Sequence, residues 1–248
     1  MDQPSCDAEN GVARPWPVPN SPWLMAMQWH DLAFLHWPVE AERLRPFIPA
    51  GLELQTFDGS AWLGVVPFMM RGVRARWLPP IPGTTVFAEL NLRTYVIADN
   101  KPGVWFFSLD AASRLAVRAA RWSFHLPYFD ARIQVAEDAG GIDYASTRVE
   151  QPPGEFRAFY RPTGDVCHAT AGSIEHWLVE RYCLYSADRR GRIYRGEVHH
   201  PRWPLQPAEC KIEMNTLASH LAIELSPNPP LVHFAKRLDV VAWYLTRV

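Results

Sequence analysis

Lysine is nearly missing from the chain: Lys101, Lys211 and Lys236 stand against 22 arginines. Amine chemistry, an imine-forming nucleophile included, therefore has only three candidates. Arginine in lysine's place favours planar, bidentate contacts, or reflects a GC-rich coding sequence. Cysteine is scarce too. Cys6, Cys167, Cys183 and Cys210 form no Cys-x-x-Cys pair and no zinc-finger spacing, so reduced thiols in a reducing compartment are expected. No apolar run is long enough to span a bilayer, the longest being Trp62 to Met70, broken by Gly64 and Pro67. The first residues carry Asp2, Asp7 and Glu9 without an apolar core, which excludes a secretory signal and makes the cytoplasm the expected location.

Charge of one sign is also lacking. The formal net charge is -1, so the molecule as a whole has no electrostatic pull toward nucleic acid or an anionic membrane, and neither is expected as a partner. The glycine-rich dinucleotide and phosphate-loop signatures, the zinc-protease His-Glu-x-x-His and the hydrolase Gly-x-Ser-x-Gly are all missing. His199 and His200 point to opposite faces of a strand, which suits one metal ion poorly. His176 and Glu180 share a helix face, most simply a solvated one. Cys167 and His168 are sequence neighbours, which does not make a nucleophile–base pair. No metal and no cofactor are expected.

What is present is proline, 23 residues, and tryptophan, 11 residues, in a chain that is 48% hydrophobic and 21% charged. Frequent prolines suit short strands and structured loops better than long helices. Residues 1–22 hold five prolines and no apolar periodicity, and read as an extended or disordered arm. Residues 23–248 read as a single domain with no linker and no repeat. Strands are predicted at about 27–39, 52–57, 60–70, 85–98, 103–110, 129–137, 142–149, 154–161, 182–187, 192–200, 208–215, 219–225 and 231–246. Short helices are predicted at 40–48, 113–122 and 173–182, the last capped by Ser173, with a basic, proline-rich loop at 71–82. The expected class is mainly β (α+β), a closed or nearly closed sheet. The surplus tryptophans fit a core, or the interface of a homodimer.

The most informative segment is Phe87-Ala-Glu-Leu-Asn-Leu-Arg-Thr-Tyr-Val96. Strand alternation puts Glu89, Asn91, Arg93 and Tyr95 on one face and Leu90, Leu92 and Val96 on the other. The polar row is either a solvated face or the lining of a barrel in which carboxyl, guanidinium and phenol surround an oxygenated ligand. A second row, Arg195, Glu197 and His199, reads equally as an exposed ion-pair ladder. The arginines at 71, 74, 76, 189, 190 and 192 fit solvated turns.

Several stretches resemble the YqjF-like proteins, an uncharacterised family. They include Trp29-His-Asp-Leu-Ala-Phe-Leu-His-Trp-Pro38, Val65-Val-Pro-Phe68, Glu89-Leu-Asn-Leu-Arg-Thr-Tyr95, Tyr194-Arg-Gly-Glu-Val-His-His-Pro201 and Trp203-Pro-Leu-Gln-Pro-Ala208. The likeness covers about residues 23–248. That family is in turn similar, more distantly, to the acetoacetate-decarboxylase-like superfamily. The resemblance implies a cone-shaped antiparallel β-barrel with a few peripheral helices and a small-molecule cavity. It places Glu89 where the decarboxylases have an active-site glutamate, and Tyr128 or Phe129 of His125-Leu-Pro-Tyr-Phe129 where they carry the Schiff-base lysine. Imine-based decarboxylation is therefore not expected. What the resemblance implies instead is a cavity for a small organic acid or keto compound, serving lyase or isomerase chemistry without an imine. Glu89 would be acid or base, Arg93 with Arg121 or Arg195 the carboxylate anchor, and Tyr95, Tyr128 or His125 the enolate stabiliser. Asn91, Glu197 and His199 complete the candidate ligand-binding set. A non-catalytic binding or sensor protein is the alternative, and a barrel filled with apolar side chains is a third.

Overall fold

Long apolar runs interrupted by single polar residues form strands covered on both faces, and five such segments make the centre of this molecule. The computed structural model describes residues 14–79, 85–138, 140–223, 225 and 230–248. The five are β1 (Met25–Val39), β3 (Ala61–Ala75), β4 (Val86–Ala98), β5 (Lys101–Ala111) and β12 (Leu231–Ala242), side by side in the order β12-β1-β3-β4-β5. Around them lie β2 (Glu53–Leu54), β6 (Tyr128–Asp138), β7 (Gly141–Arg148), β8 (Glu155–Pro162), β9 (Cys183–Ala187), β10 (Ile193–His199), β11 (Gln206–Asn215) and β13 (Thr246–Arg247). Helices are α1 (Ala41–Leu44), α2 (Arg114–Phe124) and α3 (Ile174–Val179).

The central sheet closes on itself twice. Through β6, β7, β8 and β11 it forms a barrel of nine strands, and through β9 and β10 a second circuit of seven that shares the same five. Pairings are antiparallel except β5 with β6 and β5 with β9. Each face of the shared sheet therefore has its own core. Leu35, Val65, Leu90 and Leu92 pack with Tyr144, Phe156 and Tyr160 on one side. Phe34, Val66, Phe68 and Phe87 pack with Leu178, Val198 and Trp203 on the other. Alternation along β4 decides which residue serves which core.

β1 needs a correction to keep this pattern. Its register against β3 shifts between His30 and Leu35, and Asp31 adopts φ 56°. This bulge swaps the parity, so Trp29 before it and Leu32 and Phe34 after it belong to one core. The Tyr160 hydroxyl donates to the Asp31 carbonyl at 3.0 Å, and Lys236 pairs with the Asp31 carboxylate at 2.6 Å.

Other elements depart from the sequence expectation. The expected basic loop at 71–82 begins later, because β3 runs on to Ala75; residues 80–84 lie outside the described residues. The helix expected over 173–182 ends at Val179, capped as predicted by the Ser173 hydroxyl accepting from the His176 amide. No strand forms over 219–223: Ser219–Leu221 is a 3-10 turn ended by Ala222 at φ 53°. The strand expected over 231–246 stops at Ala242, and Thr246–Arg247 returns to pair with β10.

Candidate functional site

The seven-strand circuit encloses a cavity of about 340 Å³. Its walls are mostly apolar, and the lining residues that are exposed, Arg74, Leu78, Pro79 and Ser123, mark its mouth at the end of β3 and of α2. Polar groups reach it chiefly from β4. Glu89, Asn91 and Arg93 all line it, opposite Phe68, Val66 and Gly64 of β3. The row is therefore an interior lining and not a solvated face, with Glu89 and Asn91 almost fully buried. The interior is also not plugged by apolar side chains.

Glu89 meets Tyr128 across the sheet. β5, α2 and β6 form a parallel crossover that sets Tyr128 beside Leu109, while small Ala111 stands opposite Glu89. The Tyr128 hydroxyl donates to Glu89 Oε2 at 3.0 Å. Burial pushes the Glu89 carboxyl up to about 8, the Tyr128 hydrogen bond pulling it down and nearby Asp110 pushing it up. Burial, then the neighbouring Glu89, holds the Tyr128 phenol well above its ordinary value. Near neutral pH both groups keep their protons. Two further bonds fix this pair from behind: the Tyr144 hydroxyl donates to the Glu89 carbonyl at 2.8 Å, and Arg121 Nε donates to the Tyr128 carbonyl at 2.6 Å.

Arg93 lies deeper and, among the described residues, has no carboxylate partner. Its guanidinium sits over Phe34 and Tyr95, at 5.5 and 5.8 Å from the ring centres, and its buried Nε makes no hydrogen bond. Asn91 Oδ1 is likewise buried and unbonded. Gly64, facing Arg93, makes room for it: a Cβ there would stand 3.1 Å from the His36 ring and 3.3 Å from Arg93 Cγ. A half-buried cation with no carboxylate partner among the described residues, beside a buried and unbonded amide oxygen, suits a polar ligand.

The remaining candidates lie elsewhere. Tyr95 shares the face but sits past the cavity floor, fully buried, its hydroxyl 2.5 Å from His36 Nε2 and its ring under the Arg181 guanidinium at 5.0 Å. Alternation gives a residue's side of the sheet but not its depth. Burial and the Arg93 charge hold His36 well below its ordinary value, so the ring is neutral. His125, at φ 51° where the chain leaves α2, turns away and packs on Tyr194, ring centres 5.1 Å apart. Arg121 is exposed and paired with Glu150, touching the site only through the Tyr128 backbone. Arg195 pairs with Asp99 at 3.0 Å. Glu197 pairs with Arg14, takes Lys101 at 2.6 Å and accepts from Trp16 Nε1 at 3.0 Å. His199 faces an outer groove beside Arg14 and Pro17. The β10 row thus anchors the segment from Arg14 onward and does not reach the cavity.

None of the three lysines lines the cavity: Lys101 is held by Glu197, Lys236 by Asp31, and Lys211 is exposed on β11. Arg181, missed in the sequence, is buried against Trp177 and Tyr95 with no carboxylate partner among the described residues. Burial lowers it to about 10. Nothing in its local sequence marks it, because its neighbours come from β4 and α3. Among the described residues no cluster of three or more metal-ligating side chains occurs, and no helix is long and apolar enough to cross a membrane.

Comparison with known proteins agrees with this architecture. Residues 26–239 match the DUF2071 family of uncharacterized conserved proteins. The chain is 46% identical over 230 residues to the uncharacterized protein YqjF of Bacillus subtilis (strain 168), covering 93% of this chain and 95% of that one. Its fold is similar to the enduracididine biosynthesis enzyme MppR, solved with pyruvate, at TM-score 0.61 and 13% identity over 92% of this chain and 91% of MppR. It is also similar to an acetoacetate decarboxylase-like enzyme from Sphingomonas wittichii RW1, at TM-score 0.62 and 13% identity over 97% and 99%.

Proposed function

Because the chain belongs to the DUF2071 family and has the acetoacetate-decarboxylase-like fold without a lysine in its cavity, we propose that it binds an organic acid or keto compound there and acts on it without an imine. The observation that carries this reading is Arg93, a cation with no carboxylate partner among the described residues, beside the unbonded Asn91 oxygen in a mostly apolar cavity. A carboxylate or ketone oxygen is the complement of the guanidinium, and the Asn91 amide offers a further donor and acceptor.

Glu89 and Tyr128 supply the proton chemistry. As a neutral acid, Glu89 gives its proton to a carbonyl oxygen; once ionised, it takes one from the carbon beside a carbonyl, and the Tyr128 hydroxyl stabilises the enolate oxygen formed. Returning that proton to a neighbouring carbon is an isomerisation, and losing a β-substituent from the enolate is a lyase reaction. MppR, similar in fold, was solved with pyruvate, a keto acid, which supports the compound class.

The test is thermal stability of the wild type, Glu89→Gln and Arg93→Gln against keto, hydroxy and dicarboxylic acids. A ligand at about 100 times its Kd adds about 2.7 kcal/mol. We expect Arg93→Gln to abolish the shift and Glu89→Gln to abolish turnover of any compound that gives one. A shift unchanged in Arg93→Gln would refute the site.

A further inference from the structure

The polar stations of the cavity are spread along β4 and do not converge on one point. Glu89 and Arg93 are four residues apart along β4, about 13 Å at ~3.3 Å per residue. The Arg93 guanidinium sits between the rings of Phe34 and Tyr95, 5.5 and 5.8 Å from their centres, at the far end of the row from Phe87. A three-carbon keto acid spans only about 5 Å at ~1.5 Å per bond. Such an acid is shorter than the backbone spacing between the two stations, whereas a longer acid spans it.

The cavity is also larger than such a compound and changes character along its length. At ~30 Å³ per water-sized group, 340 Å³ holds roughly eleven non-hydrogen atoms, about twice a three-carbon keto acid. Beyond Glu89 toward the mouth the lining turns to Met25, Met27, Met70 and Phe87, with Phe87 opposite Met70 in the β3–β4 pair and the exposed Arg74 at the rim. Thioethers adapt to flexible apolar chains and offer no strong hydrogen bond.

We propose that the ligand is an elongated carboxylic acid, bound with its carboxylate on Arg93, an oxygenated carbon at Glu89 and Tyr128, and an apolar end among the methionines at the mouth. This rests on the acid-binding reading of the cavity and adds a chain length and an orientation to it. Asn91, midway on the same face, is the intermediate station.

Straight-chain carboxylates from propanoate to dodecanoate, with pyruvate and the primary alcohols of matching length, test it by calorimetric Kd. Affinity should rise about fourfold per methylene. It should stop rising at about eight to ten carbons, when the volume is filled. Acids should bind at least tenfold tighter than alcohols of equal length, and Arg93→Gln should erase that difference. Met70→Trp, which narrows the mouth and leaves the polar stations intact, should shift the best chain to a shorter one. Pyruvate binding as tightly as the longer acids, or a best length unmoved by Met70→Trp, overturns the elongated ligand and leaves acid binding standing. Acids and alcohols binding alike overturns the carboxylate anchor. No acid of any length binding overturns the cavity reading as well.

Discussion

Glu89 ties the acidity of one buried carboxyl to the stability of the fold. Its value is near 4.5 in the unfolded chain and about 8 in the folded one, so between those limits the folded state holds a proton that the unfolded state has released. Stability must therefore fall as pH rises across that interval and level off above it. The buried histidines, all held low, act below pH 7, where protonation favours the unfolded chain. Denaturant titrations at pH 7 and 8 should show a loss of about 1 kcal/mol in the wild type and none of that increment in Glu89→Gln. Behind β5, Asp110 and Arg148 form a fully buried pair at 2.8 Å, Arg148 also donating to the Pro152 carbonyl at 3.0 Å and lying over Phe129. Burial raises the Asp110 carboxyl to about 6 even with the arginine beside it. Arg148→Met should cost about 3–5 kcal/mol at neutral pH by leaving an unpaired charge. The loss should shrink as pH falls toward 6, because without the arginine the Asp110 carboxyl takes up its proton at a higher pH than it does in the pair, and it should shrink also in the double variant with Asp110→Leu.

Strands β1 and β5 each contain one position where the backbone dictates the residue. At Asp31 the chain holds φ 56°, which glycine and asparagine adopt easily and β-branched residues do not. Asp31→Asn should cost little beyond the Lys236 ion pair, whereas Asp31→Val should cost at least about 1–2 kcal/mol more and loosen the cavity wall at Trp29 and Leu32. Thermal unfolding of the two variants separates them. At Gly103, β5 approaches β9 so closely that a Cβ would stand 2.7 Å from the Cys183 carbonyl oxygen and from the Tyr185 ring. Gly103→Ala should separate the two strands where Val104 and Trp105 pair with Leu184 and Tyr185, and so open the seven-strand circuit. This element scale is also where the sequence was most and least legible. The β4 row could be read because single polar residues alternate with leucines, and alternation is a local property of a strand. Tyr95 shares the face without lining the cavity, because depth depends on where neighbouring strands end. His125, Arg195, Glu197 and His199 lie off the cavity, which their local sequence does not show because their partners, Tyr194, Asp99, Arg14 and Tyr182, are on other elements. Ser219–Leu221 has the composition of either a strand or a turn, and only the left-handed Ala222 decides it.

For the molecule as a whole, the middle of the shared sheet is the part most completely covered on both sides. β1, β3 and β4 each have strands on both edges and a core on both faces, while β2 and β13 are two-residue edge strands. Amide hydrogen exchange should accordingly be slowest in β1, β3 and β4, and fastest in β13 and the turn around Gly191. A uniform protection pattern would contradict this reading of where the structure is anchored. The same sheet limits how the gene can change length. One codon gained or lost within β4 would exchange its two faces, sending Leu90 into the cavity and the Glu89 carboxyl into the dry core behind it. Relatives of this protein should therefore gather their insertions and deletions in the connections of the β6–β8 meander, while β3 and β4 hold constant length. In β1 the chain already accommodates one extra residue, at Asp31.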